Sequence, residues 1–295
     1  MGLRLKFNLV LLLVFVMGLG VSGYVSYQLL QKNAREEVLR TAGVMMEAAM
    51  AMRHYTVSQI RPHLRVVESE FLPHSVPAYA ATEIMGQLHN KYPNYAYKEA
   101  ALNPTNPRDR AVGWEADIIS EFRNNVQRTE FSGVRATPTG LSMYLARPFQ
   151  IKDPACLACH TTAESAPPAM VKLYGTSNGY GWKLNEVVGA QIVSVPMSLP
   201  IEKADSAFLT FMASLAGVFA VLFIILNVML SLLIVRPIRH MSAAADKISV
   251  GELDIPELPE TGKDEVALLG KSFNRMRRSL EKAISLIDDN GSLTA

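Results

Sequence analysis

Cys156-Leu157-Ala158-Cys159-His160 places two thiols three positions apart, with an imidazole directly after the second. That arrangement attaches a c-type haem: each thiol adds to one vinyl group of the same porphyrin, and the histidine gives the iron an axial nitrogen. These are the only two cysteines in the chain, so no other site competes for them. Other chemistries fit the run less well. A thioredoxin-like redox pair belongs beside a strand–helix–strand pattern, and none surrounds it. Structural zinc needs four ligands, and no second Cys/His pair stands at zinc spacing. A disulfide between the two would close a very short, strained loop.

With His160 as the proximal ligand, the sixth iron position needs its own candidate. A distal thiolate is excluded, because no third cysteine exists. Met50 and His54 stand one helical turn apart and can address one site; Met45, Met46 and Met52 are close by. Against each methionine stands core packing. Against His54 stands a surface or hydrogen-bonded role. His63, His74 and His89 lie in loops or near prolines and are weaker candidates. An open sixth position, which would favour a gas, stays an alternative. Arg53, Arg61, Lys98, Tyr95 and Tyr97 are available to haem propionates, though each also fits a structural role. Trp182 and Tyr180 in GYGW suit packing on a porphyrin or filling a core.

These residues are carried by a chain of 295 residues with a net charge of +2, which gives no bulk electrostatic case for nucleic acid. Two apolar runs frame them. The first, residues 7–30, is long enough as a helix, at about 36 Å, to cross a bilayer core of roughly 30 Å. It lacks a clear A-x-A site at its end, so an uncleaved anchor is favoured over a cleaved signal peptide. Gly18, Gly20 and Gly23 would admit a close helix neighbour. The second run, Phe208 to Val235, has no charged residue and reads as a transmembrane helix. Asn227 is the strongly polar residue within it, suited to a bond across a helix pair or tolerated near an interface. Arg4 and Lys6 precede the first run, and Arg236 and Arg239 follow the second. The positive-inside rule then puts both termini in the cytoplasm of a bacterium and the CxxCH segment on the periplasmic side.

Between the runs, residues 31–70 read as one long helix, rich in Ala, Met, Glu and Arg. Pro73 and Pro77 mark a loop. Helices are expected over 78–89 and 114–123, extended chain over 92–101, and strands over 141–151 and 186–197. A long helix, short helices and a few antiparallel strands make an α+β domain of sensor type. The segments FLPHSVPAYAA, YPNYAYKEAALNPTNPRDRAVGWEADII, LARPFQIKDPACLACH and NGYGWKLNEVVGAQIVSVPM together resemble a family of extracytoplasmic c-type haem sensor domains. The resemblance covers most of residues 35–200. It implies a PAS-like fold, a single haem, a sensory role and fusion to signalling modules.

After the second apolar run, Ile238, Met241, Ala245 and Ile248 step by three and four, a heptad seam. GELDIPELPETGKDE interrupts it, and Val266, Leu269, Phe273, Met276, Leu280, Ala283 and Ile287 repeat it. Two short heptad helices around a connector, with Pro237 at the start and DEVALLGKSFNRMRRSL in the second helix, resemble a HAMP domain. The family implies a parallel four-helix bundle from two chains. A generic amphipathic hairpin has the same patterning but also cannot bury its seam alone, so a homodimer is expected. No kinase, cyclase or methyl-accepting region follows in this sequence.

The expected organisation is a cytoplasmic start (1–6), a first membrane helix (7–30) and an extracytoplasmic haem domain (31–206). A second membrane helix (207–235), a HAMP domain (236–288) and a tail (289–295) follow. The expected function is a non-enzymatic, two-pass inner-membrane sensor carrying one covalent haem c. It would relay haem redox state, or binding of NO, CO or O2, to a separate kinase or other output protein. A membrane-tethered monohaem cytochrome is the alternative, disfavoured because an electron carrier needs no cytoplasmic relay. No residue pattern requires a catalytic haem protein such as a peroxidase.

Overall fold

The computed structural model describes residues 2–64, 71–252, 254–259 and 262–292. It divides into two compact units, residues 26–208 and residues 1–25 with 209–295.

In the first unit, helix α1 (Leu3–Tyr55, entering from the other unit) supplies the long helix. It does not run unchanged to residue 70. A π-helical turn, Thr56–Ile60, and a short helix α2, Arg61–Leu64, follow it, and residues 65–70 of the expected helix lie outside the described residues. Pro62 accounts for the wider turn: its ring would strike the carbonyl four residues back and it has no N–H to donate. After a 3₁₀ turn at Pro73–Ser75 come α3 (Pro77–Lys91), strand β1 (Ala96–Ala101) and α4 (Gly113–Asn124). Strands β2 (Phe131–Thr137) and β3 (Gly140–Gln150), helices α5 (Leu157–His160) and α6 (Pro168–Tyr174), and strand β4 (Val187–Pro196) complete the domain. β2, α5 and α6 are not expected from the sequence. β2 alternates half-buried and exposed residues at a sheet edge, which leaves little apolar signal.

The four strands form one antiparallel sheet in the order β1-β4-β3-β2. Alternation gives it two apolar faces. On one face Met143, Leu145, Val193 and Val195 meet Val38, Ala42, Met45, Met46 and Ala49 of α1. On the other, Ala100, Ala146, Ala190 and Ile192 meet Ile118, Ile119 and Phe122 of α4. β4 is therefore covered on both faces, which explains its nearly unbroken apolar sequence. Fully burying a side chain such as Met46 contributes about 1.5–3 kcal/mol, so α1 is held on the sheet by its small and flexible residues.

In the second unit, two helices are long and apolar enough to cross a membrane, by length and composition. Within it the first apolar run packs on α7 (Ser198–Met229): the Phe15 and Phe219 rings stack at 4.7 Å. Gly18 lies against Phe219 and Gly23 against Met212, the close approach that small residues permit. Gly20 faces open space. Asn227 donates to the Phe223 carbonyl of its own helix at 3.0 Å, not across to a neighbour. A second π-helical turn, Leu230–Val235, precedes Pro237, repeating the device seen before Pro62. Helices α8 (Arg236–Ser249) and α9 (Glu265–Ser292) follow. The connector is tied to α9 by Asn274, whose amide both accepts from Leu258 N (3.0 Å) and donates to Leu258 O (2.9 Å), and by Arg277, which donates to Ile255 O. Ala267, Gly270, Asn274 and Arg277 thus form the buried face of α9. The seam residues Leu269, Met276 and Leu280 stay exposed, at 53, 58 and 41%. The Ile287 side chain lies outside the described residues.

Candidate functional site

The CxxCH run lies in the long connection between β3 and β4. Its base is closed by two backbone bonds, Ile151 N to Glu186 O (2.9 Å) and Asn185 N to Ile151 O (2.7 Å). Asp153 starts the turn by accepting from Ala155 N (2.9 Å), and Cys156 enters α5 already in helical conformation. Cys156, Cys159 and His160 therefore stand at i, i+3 and i+4 of one helical turn and share a face. Both cysteines are free thiols, half-buried. Burial raises the pKa of each; the charge of Arg61 acts in the opposite direction on both, and that of Arg53 also on Cys156.

His160 is held on three sides. Its Nδ1 lies 2.7 Å from the carbonyl oxygen of Gly179 and 3.4 Å from Thr105 Oγ1. A carbonyl can only accept, so Nδ1 carries the proton and Nε2 keeps its lone pair. Burial lowers the imidazole pKa and favours this neutral form, opposed by the bond to Gly179. Trp182 stacks on the ring, centroids 3.9 Å apart and 11° from parallel. Trp182 therefore packs on the imidazole. The loop carrying these partners is laced back to α5 by Gly181 N to Thr161 O (2.9 Å) and Trp182 N to His160 O (3.2 Å). Gly179 sits at φ +86°, and a Cβ there would lie 2.1 Å from Thr105 Oγ1. Only glycine fits that position.

Contacts lead from this loop to α1. Phe149 meets the Trp182 edge at 6.1 Å, and the Arg53 guanidinium lies 5.1 Å above the Phe149 ring. Arg53 donates to Glu99 Oε1 at 2.5 Å, and Tyr97 O–H donates to the same oxygen at 2.6 Å. Glu99 is almost fully buried on the α1 side of the sheet, and its second oxygen has no partner among the described residues. Burial, then the Glu99 charge, push the Tyr97 phenol far above its ordinary range.

Met50 is half-buried and His54 exposed; they flank Arg53 on α1. Met45 and Met46 belong to the core cluster and Met52 packs against it. Among the loop histidines, His74 meets the Tyr79 ring at 5.4 Å and His89 bonds the Tyr95 carbonyl at 2.8 Å; His63 is exposed. Of the cations, Lys98 is engaged with Glu115 (2.6 Å) on the opposite face of the sheet, away from α1. Tyr95 packs against the α1 core cluster, and Tyr180 bonds Gly175 O at 3.0 Å. Arg61 has no ion-pair partner among the described residues. Thr105, Asn103 and Gly179 are site residues that nothing local in the sequence marks.

The region from residue 31 to 196 matches the family model described as Tll0287-like, and residues 229–282 match that of the HAMP domain. No curated protein matches. Among solved structures, the cyanobacterial heme-protein Tll0287 is similar at 17% identity and a TM-score of 0.43, over 54% of this chain and 95% of that one. With more than half of its 295 residues inside the first match, the chain belongs to the Tll0287-like family and carries a HAMP domain behind it.

Proposed function

We propose that this chain is a membrane-anchored haem sensor. Cys156 and Cys159 hold one haem c covalently, and His160 Nε2 is its proximal ligand. The observation that carries the reading is the 2.7 Å contact of His160 Nδ1 with the Gly179 carbonyl: it leaves Nε2 to bind a metal on the helical turn that carries both thiols. Bound there, a haem supplies a redox-active iron that also takes diatomic ligands. The residues present suit it: two free thiols, one half-buried imidazole whose Nδ1 faces a carbonyl, a stacked indole, and Arg61 available for a propionate. Met50 or His54 on α1 fills the sixth position, or leaves it to NO, CO or O2.

The series Arg53–Phe149–Trp182–His160 gives the site a physical route to α1. A change at the site alters the packing of α1 on the sheet. The membrane helices pass that displacement to HAMP, which sits in the cytoplasm with the haem domain on the periplasmic side of an inner membrane. A second chain covers the seam of Leu269, Met276 and Leu280, and a separate kinase or other partner takes the output; the chain itself is not an enzyme.

Purified protein should show a haem spectrum that survives acid-acetone extraction, and should lose it in Cys156→Ala/Cys159→Ala. Extractable or absent haem overturns the proposal. Ferric and ferrous spectra with and without NO, CO and O2 separate gas from redox sensing. An altered spin state in Met50→Ala or His54→Ala names the sixth ligand; an unchanged spectrum in both removes them. The alternative, a membrane-tethered monohaem cytochrome whose tail serves only to dimerise, needs no cytoplasmic relay.

A further inference from the structure

We propose that Asn103 is a positioning residue for His160: it fixes the loop whose carbonyl holds the Nδ1 proton, and so sets how strongly the imidazole donates to a bound iron. This rests on the haem reading above. Asn103 lies two residues beyond β1, far in sequence from the CxxCH run. Its amide spends both ends on consecutive residues of the GYGW loop. Oδ1 accepts from Gly179 N at 3.1 Å, and Nδ2 donates to Tyr180 O at 3.1 Å. Gly179 is thereby gripped by its N–H on one side, while its carbonyl, on the other, accepts from His160 Nδ1 at 2.7 Å. The positive φ of Gly179 makes this geometry possible.

Among the described residues, no other side chain hydrogen-bonds the Gly179 N–H. The bonds from Gly181 N to Thr161 O and Trp182 N to His160 O fix the far side of the loop and leave the Gly179 peptide to Asn103. Thr105 Oγ1, at 3.4 Å from Nδ1, is too distant to hold the proton alone. An asparagine is required because one planar group must both accept and donate. Aspartate keeps the acceptor and loses the donor; alanine loses both. A carbonyl on Nδ1–H makes the imidazole a stronger donor and favours the ferric iron.

The test is the midpoint potential of the full-length haem-loaded protein in detergent, by spectroelectrochemical titration. Asn103→Ala should raise the midpoint by an amount equal to about a tenfold change in the ferric-to-ferrous ratio, about 59 mV for one electron. Asn103→Asp should fall between it and the parent, with covalent haem content unchanged in both. The control is Asn178→Ala. Its side chain accepts from Arg110 at 3.0 Å, one residue before Gly179, and it should leave the potential where it was. An unchanged midpoint in Asn103→Ala, or an equal shift in the control, overturns the positioning role. A second readout needs no haem. In the Cys156→Ala/Cys159→Ala chain labelled with ¹⁵N-histidine, His160 should be protonated at Nδ1, and Asn103→Ala should mix the tautomers. A single unchanged tautomer in that variant overturns the role even where the haem reading has failed. A parent without covalent haem, by contrast, overturns the haem reading alone.

Discussion

Removing Arg53 should cost far more than removing a surface arginine. Its partner Glu99 has a side chain only 3% exposed, and Arg53 itself is 15% exposed. Glu99 Oε1 receives two donors, Arg53 at 2.5 Å and the Tyr97 hydroxyl at 2.6 Å, while Oε2 receives none from the described residues. Arg53→Met keeps most of the apolar stem but leaves a buried carboxylate with a single hydrogen bond. Breaking a buried pair in this way costs about 3–5 kcal/mol. The cation–π contact with Phe149 adds about 0.5–2 kcal/mol. Glu99→Gln should cost less, about 1–3 kcal/mol, because Arg53 is nearer to water and the amide can still accept. The double variant removes both charges, so it should be more stable than the sum of the single losses implies, by about 2 kcal/mol or more. Urea unfolding of the full chain in detergent, followed by tryptophan fluorescence, measures this directly. Both tryptophans, Trp114 and Trp182, belong to the unit in question. A loss under about 1 kcal/mol in Arg53→Met, or strictly additive single effects, would refute the reasoning.

Burial, the largest cause, pushes the Asp109 carboxyl up to about 6, with Arg108 opposing and Glu99 adding. The unfolded chain titrates near about 3.9. Between those values the folded state holds more protons, so stability falls as pH rises from about 4 to about 6. Asp109→Asn should therefore stabilise the protein at pH 7 by at most about 3 kcal/mol, reduced by solvent screening, and by nothing at pH 4; thermal unfolding at the two pH values checks it. Gly179→Ala forces a Cβ onto Thr105, 2.7 Å from its Cα, and must displace the loop. It should lower stability by about 2 kcal/mol or more and leave the Nδ1 of His160 without its carbonyl; a variant with parental melting and parental haem spectrum contradicts that. Cysteine placed at Met276, 58% exposed on the HAMP seam, should crosslink two chains in membranes, whereas only monomer would exclude the bundle.

The sequence by itself marked the candidate site. CxxCH is local, and its i, i+3, i+4 geometry follows as soon as the turn is helical, as it is at Leu157–His160. It also determined the two apolar runs and the heptad seam, because length and period are properties of a single segment. The β4 run read as a strand for the same reason. What it left open is whatever needs two distant segments to meet. Asn103 reaches Gly179 across 76 positions, and Arg53 reaches Glu99 across 46; neither residue type signals its partner. Lys98 and Tyr97 are neighbours in the chain, yet strand alternation sends them to opposite faces, so only Tyr97 lies on the α1 side. The cysteines and histidine needed no tertiary structure to be found. Which ring nitrogen of His160 is free did, because a proton is placed by its acceptor, and the fold supplies that acceptor from the far end of the loop.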